Sequence, residues 1–230
     1  MLMLAHAATA GELRQNPKAV LELFTSQGCS SCPKADALLT ELSAKPEIIA
    51  LAYHVDYWDY IGWPDTFGAE AHSNLQRDYA ASWGSSRIFT PQLIVNGRKG
   101  VVASRKGEVS NAVEAATLQL PVVLKADGDM LKIDIPADPS LGEAVVWLVS
   151  YLDSADVRID RGENEGKTIA YTHIVTGRQI LGMWEPETGA QLKLPMAEIL
   201  DAPANGAVIM VQQDKAGLPG PILGAASFLR

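Results

Sequence analysis

The sequence predicts an α/β amino-terminal domain followed by an all-β, sandwich-like carboxy-terminal domain. Two short apolar runs, Ala19–Thr25 and Ile48–Val55, flank a segment with helical spacing. A Cys-x-x-Cys stands where the first run gives way to that segment. From Val122 onward the pattern becomes strand-like, with turn-forming clusters at roughly regular intervals. Short apolar runs bounded by turns are strand signals, and many in succession suggest a sandwich.

Ala19–Thr25 reads as a buried strand and Ser26-Gln27-Gly28 as a turn. Pro33 suits the first turn of a helix, where its missing N–H costs nothing. Ala35, Leu38, Leu39 and Leu42 follow at helical spacing, and Lys45-Pro46 stops the helix. Ile48–Val55 is a second buried strand. It completes a βαβ unit, which implies a parallel pair with a right-handed crossover. Residues 56–68 are rich in aromatic and turn residues, and a helix is expected over about Ala69–Trp83. Leu93–Val95 is a strand, Asn96-Gly97 a hairpin signal, Lys99–Ser104 the next strand and Val109–Leu120 a closing helix. The order β-α-β-α-β-β-α is that of a thioredoxin-like domain, assigned here to residues 19–120. Pro121 opens the β-rich domain, residues 121–230. Its candidate strands are Val122–Ala126, Met130–Ile135, Ala144–Leu152, Val157–Ile159, Lys167–Ile180, Gln191–Leu194, Ala207–Gln213 and Ile222–Phe228.

The net charge of −8 and the lack of a Lys/Arg cluster argue against a nucleic-acid partner. No run approaches the roughly 18 apolar residues of a membrane span, so a soluble mature protein is expected. Residues 1–18 read as a leader remnant or flexible terminus. Met1–Ala10 is a short apolar stretch ending in small residues, like the tail of a secretory signal peptide without its basic start. That points to a periplasmic or secreted protein; the alternative is a cytoplasmic one with a disordered tail.

Cys29 and Cys32 are the only cysteines. A bridge between residues so close closes a short loop and adds little by chain entropy, which leaves metal binding or redox chemistry. Zinc usually needs four ligands. The sequence has no second Cys-x-x-Cys, and His6, His54, His72 and His173 are scattered. Placement favours redox chemistry, because free N–H groups and the dipole at a helix start stabilise a thiolate. Cys29 is then the attacking sulfur, and Cys32, one turn further in and more buried, resolves the mixed disulfide. No cofactor beyond the Cys29–Cys32 disulfide is implied, and the expected partner is a protein or small-molecule thiol or disulfide. Two alternatives stay open: a non-catalytic binding module with an inert pair, and a copper- or zinc-handling protein. Thr90-Pro91 lies just before the strand Leu93–Val95. In thioredoxin-like proteins a cis-proline stands at this point, facing the cysteines, and the residue before it offers backbone hydrogen bonds to an extended substrate.

The runs E-L-F-T-S-Q-G-C-S-S-C-P (Glu22–Pro33), H-V-D-Y-W-D (His54–Asp59), Gly62-Trp63, T-P-Q-L-I-V-N-G (Thr90–Gly97) and R-G-E-N-E-G-K-T (Arg161–Thr168) resemble a bacterial family of unknown function. Its members are described as predicted secreted, thioredoxin-like proteins. The resemblance implies a thioredoxin-like fold joined to a β-rich carboxy-terminal domain; it supplies no reaction. Better-known thioredoxins carry Gly-Pro between the cysteines and a buried Asp beneath them. Here Ser30-Ser31 replaces the dipeptide, and the nearest strand carboxylate is Glu22, offset by one residue.

Secondary candidates each have two readings. Glu22 is a general base for Cys32 or a structural hydrogen-bonding group. His54 ends the second strand, where open α/β sheets carry ligands, or is simply packed. Tyr57, Trp58, Tyr60, Trp63 and Phe67 form a substrate wall, with Trp58 its leading member, or pin a long loop to the core. Glu163, Asn164 and Glu165 with His173 suggest a cation site, or a salt-bridged turn joining the domains.

Overall fold

A computed structural model describes residues 12–98, 100–200 and 202–230. The leader-like stretch Met1–Ala10, and Lys99 at the start of an expected strand, lie outside the described residues. In chain order the elements are β1 (Glu12–Arg14), β2 (Ala19–Thr25), α1 (Pro33–Ser43), β3 (Ile48–His54), α2 (Glu70–Ser82), β4 (Gln92–Val95), β5 (Val101–Val102) and α3 (Lys106–Glu114). There follow β6 (Val123–Asp127), β7 (Met130–Ile135), β8 (Ala144–Arg158), β9 (Thr168–Trp184), β10 (Ala190–Pro195), α4 (Met196–Ile199), β11 (Gly206–Lys215) and β12 (Leu218–Leu229).

Strands β2 and β3 are parallel, with Thr25 opposite His54, and β4 runs antiparallel to β2. Every residue of β2 and β3 is buried. Both faces are covered, so the strands read as unbroken apolar runs rather than alternating ones. Side-chain alternation sorts β2 between two cores. Ala19, Leu21 and Leu23 pack with Leu39 of α1 and Val109 of α3. Val20 and Phe24 pack with Leu75 and Tyr79 of α2. Helices α1 and α3 therefore cover one face and α2 the other.

One nine-stranded sheet, in the order β1-β12-β11-β8-β9-β3-β2-β4-β5, runs through both halves of the chain. The seam is β9 against β3, parallel, with Ala52 opposite Ile174. The separate sheet β10-β7-β6 lays Leu124, Leu131 and Ile133 against Val146, Ile209 and Trp184. The change of sequence character at Pro121 thus falls within one continuous sheet. Before it the sheet is covered by helices; after it one face is covered by a second sheet. The large sheet curls so that its far strands return to α2 and β4. Gln212 Nε2 donates to Tyr79 Oη at 2.7 Å, and Ile222 N donates to Asn96 O at 3.0 Å. The expected strands Ala144–Leu152 and Val157–Ile159 form one strand, β8, apart from Ile159. Its outer end pairs with β9 in a long hairpin whose turn lies at residues 159–167.

Candidate functional site

The disulfide-bonded pair Cys29–Cys32 occupies the turn between β2 and α1, with Cα atoms 5.4 Å apart. The turn is tight: Cys29 N donates to Ser26 O at 3.1 Å and Cys32 N to Cys29 O at 3.2 Å. A Cβ on Gly28 would lie 3.1 Å from Trp58 Cβ, so glycine lets the turn pass close to the 56–68 segment. Cys32 is the N-cap of α1 and Pro33 its first residue. Both cysteines are buried, Cys29 at 1% exposure and Cys32 at 0%. The expected contrast between a less buried Cys29 and a more buried Cys32 is absent, although Ser30 and Ser31 between them are exposed, and a distant segment bonds to the turn.

That segment is the β8–β9 turn. The buried Asn164 side chain donates to Gln27 O at 2.8 Å and to Cys29 O at 3.0 Å. Lys167 Nζ donates to Asn164 Oδ1 at 2.7 Å, and Ser30 N donates to Glu163 Oε2 at 3.2 Å. Glu163 and Asn164 are thus engaged with the cysteine turn. His173 lies elsewhere, donating from Nδ1 to Ala50 O and facing Asp153 through Nε2.

The β2–β4 register places Thr90 and Pro91 beside the carboxyl end of β2. The Thr90–Pro91 peptide bond is cis. Trp58 Nε1 donates to Thr90 Oγ1 at 2.7 Å, and its ring stacks near Tyr60, which is 82% exposed. Trp58, Thr90 and the cysteine turn are therefore one neighbourhood. Trp63 is used differently: its Nε1 donates to Gln27 Oε1 at 2.8 Å, pinning the loop.

Beneath the disulfide lies a buried polar cluster. Asp36 sits four residues beyond Cys32 on α1, so the two side chains share a helix face. Thr25 Oγ1 donates to Asp36 Oδ1 at 2.8 Å. His54 Nδ1 donates to the Asp65 carboxylate at 2.8 Å, which also accepts from Gln27 N at 2.8 Å. Asp36 Oδ2, His54 Nε2 and Tyr171 Oη are buried without a hydrogen-bond partner among the described residues. Burial drives the Asp36 carboxyl up to about 7. His54 and the Thr25 hydroxyl oppose the rise, and Asp65 adds to it. The Tyr171 hydroxyl is pushed up by burial and by Asp36 and Asp65.

The model of the family described as "Protein of unknown function (DUF1223)" matches residues 20–212. The chain belongs to the DUF1223 family. Its structure resembles the crystal structure of protein AGR_C_4864 from Agrobacterium tumefaciens. The two are 34% identical with a TM-score of 0.83, covering 93% of this chain and 95% of the other. It also resembles HBP35 of Porphyromonas gingivalis at 14% identity and a TM-score of 0.57, covering 94% of this chain and 76% of that one. That second likeness is one of fold alone. No match was found among curated proteins.

Within this DUF1223 chain, Cys29, Cys32, Pro33, His54, Trp58, Thr90 and Pro91 gather at the carboxyl ends of β2 and β3. Glu22 does not join them. It lies on the α2 face of β2, accepting a hydrogen bond from Tyr79 Oη. Burial raises its carboxyl, and Tyr79, Arg178 and Tyr53 oppose the rise. Sequence reasoning passed over Asp36 and Asp65; Glu163 and Asn164, expected as a cation site or as a salt-bridged turn joining the domains, hydrogen-bond the cysteine turn, and His173 is not with them. Among the described residues no group of three or more His, Cys, Asp or Glu side chains is arranged to hold a metal ion. No described helix is long and apolar enough to cross a membrane.

Proposed function

We propose that this protein is a thiol-disulfide oxidoreductase of thioredoxin-like fold, acting through Cys29 and Cys32 in the periplasm or outside the cell. One observation carries the reading: a disulfide between a strand end and a helix start lies in one neighbourhood with Trp58, Thr90 and a buried carboxyl one turn from Cys32. The order β2-α1-β3-α2-β4-β5-α3, with β2 and β3 parallel, supports the fold assignment.

In the reducing direction the Cys29 thiolate attacks a substrate disulfide. A bond forms between Cys29 and one substrate sulfur, and the other leaves as a thiolate and is protonated. Cys32 then attacks Cys29, closing the disulfide and releasing the second substrate thiol. Two electrons pass from the dithiol to the substrate. Asp36 accepts the Cys32 proton, since a carboxyl held near neutrality exchanges protons readily at physiological pH. Trp58 and Thr90 border the place where an extended substrate lies. In an oxidising compartment the pair rests as the disulfide and the same steps run backwards: a substrate thiolate attacks Cys29, Cys32 leaves as a thiolate and is protonated, and a second substrate thiolate displaces Cys29, so two electrons pass from the substrate dithiol to the pair.

The burial of Cys29 favours a second reading, a binding module whose disulfide is structural. Equilibration with glutathione separates the two. An oxidoreductase exchanges reversibly, Cys29→Ser abolishes exchange, and Cys32→Ser accumulates a mixed disulfide on Cys29. A pair that stays oxidised against excess reduced glutathione, with both variants inert, would leave the structural reading standing.

A further inference from the structure

We infer that Asn164 and Glu163 are positioning residues for Cys29: Asn164 clamps the β8–β9 turn to the backbone that carries it, and Glu163 holds its thiol against ionisation. The inference rests on the oxidoreductase reading and adds to it a control on access and reactivity.

Asn164 comes from a hairpin more than a hundred residues away, yet its side chain is 0% exposed. Both its N–H groups go to backbone carbonyls of the cysteine turn, and its oxygen is taken by Lys167. A buried amide satisfied at every group it presents holds what it bridges. The turn that carries it is a compact unit, closed by Glu165 N to Gly162 O at 3.1 Å and Gly166 N to Ile159 O at 2.8 Å. Gly162 and Gly166 stand at φ +82° and +80°, a region glycine adopts without strain. The turn can therefore move as one piece once the two Asn164 bonds and the Ser30–Glu163 bond break, and that movement is what opens the approach to the buried Cys29.

Glu163 acts on the charge. The Ser30 N–H is the first backbone donor after Cys29, the kind of group that stabilises a thiolate. Here it donates to the Glu163 carboxylate, which both occupies the donor and adds negative charge. The thiol is thereby favoured over the thiolate, and the disulfide becomes harder to reduce. Other charged groups packed around the turn are Lys167 on the hairpin, Asp65 and His54 below Gln27, and Asp36 on α1. All of them persist in Glu163→Gln, so that variant isolates one charge while keeping an acceptor oxygen.

The test uses the reduced full chain and follows the rate of Cys29 alkylation by iodoacetamide against pH. Glu163→Gln should lower the apparent Cys29 pKa by about half a pH unit and move the glutathione equilibrium about threefold toward the dithiol. Asn164→Ala should raise the alkylation rate about tenfold at fixed pH and leave the apparent pKa in place, because two hydrogen bonds are lost and no charge is. If Asn164→Ala does not fold by circular dichroism, Lys167→Met removes the partner of the amide oxygen; because it also removes a cation, it is read at the high-pH plateau, where Cys29 is fully ionised and the limiting rate should rise about threefold. An unchanged pKa in Glu163→Gln, or an unchanged rate in a folded clamp variant, overturns the inference. These measurements read the thiol itself. Shifts of the expected sign in a protein that exchanges with no disulfide would support the two assignments while overturning the oxidoreductase reading.

Discussion

Two buried carboxyl groups flank β2, one on each face of the sheet, and only one can serve the cysteines. Glu22 faces α2, where Tyr79 Oη donates to it and Gln212 Nε2 donates to Tyr79. Arg178 bonds Gln212 and lies 3.6 Å over the Trp147 ring, so a cation sits nearby. Asp36 faces the other way, one helical turn from Cys32, with one oxygen bonded by Thr25 and the other without a partner among the described residues. Both carboxyls are raised by burial. The Glu22 cluster ties the returning strand β11 to α2 and β2 through Glu22 Oε2, on the face of β2 away from Cys32. The Asp36 cluster has a free acceptor beside the reactive pair. Each acid has one bonded oxygen and one buried oxygen without a partner among the described residues, so neither burial nor unspent hydrogen-bonding capacity marks the functional acid; the sheet face does.

The largest effect separating the two clusters concerns stability against pH. The Asp36 carboxyl is raised from 3.8 to about 7 in the folded chain. Between about pH 4 and pH 7 the folded state keeps a proton that the unfolded state has released, so Asp36 makes the protein less stable as pH rises through that window. Asp36→Asn lacks this loss and should gain relative to the parent from pH 4 to pH 8, by at most about 4 kcal/mol. Urea unfolding at the two pH values measures it. A gain of the opposite sign would mean that Asp36 is stabilised as a carboxylate.

Next in size is a kinetic difference. Asp36→Asn should slow resolution of the Cys29–glutathione mixed disulfide on the order of a hundredfold, because the proton acceptor for Cys32 is gone. Glu22→Gln should leave that step within about twofold. Rapid acid quench followed by mass spectrometry counts the mixed disulfide, and equal rates in the two variants would remove Asp36 from the mechanism. Tyr79→Phe should cost about 2 kcal/mol of stability, since it strips a donor from Glu22 and an acceptor from Gln212. It should leave the glutathione equilibrium of the cysteine pair unchanged, and a shift there would show that the two faces communicate.

The first half of this comparison was legible in the sequence, and the second only in part. Strand β2 was read residue for residue, and β3 and α1 nearly so, because a strand buried on both faces is a continuous apolar run and Pro33 marks the helix start. Asp36 was readable in principle, as the acid four residues beyond Cys32 among Ala35 and Leu39, but attention went to Glu22 because it interrupts an apolar strand. Strand alternation puts Glu22 and Thr25 on opposite faces, and that parity argument, available from sequence, would have directed attention away from Glu22. Asn164 stands out only as part of the polar run Arg161–Thr168, which does not say what it touches. Its contacts with Gln27 and Cys29 exist only once β9 pairs with β3, and tertiary pairing of that range leaves no periodic trace. The closing helix was placed too late for a similar reason. Residues 119 and 120 donate to Leu223 O on β12 instead of continuing α3.

The smallest expected effect tests the unspent capacity itself. Tyr171 Oη is buried without a hydrogen-bond partner among the described residues, near Asp36 and Asp65. Deleting a hydroxyl that makes no hydrogen bond removes a desolvated polar group and breaks nothing, so Tyr171→Phe should lie within about 0.5 kcal/mol of the parent or slightly above it. Its ring contacts with His54 and Phe67 survive the change. A loss near 2 kcal/mol in urea unfolding would instead mean that the hydroxyl is bonded within the cluster. Its neighbours with unspent atoms are Asp36 Oδ2 and His54 Nε2, and the acceptor assigned to Cys32 would then be held by the Tyr171 hydroxyl and less free to take the proton.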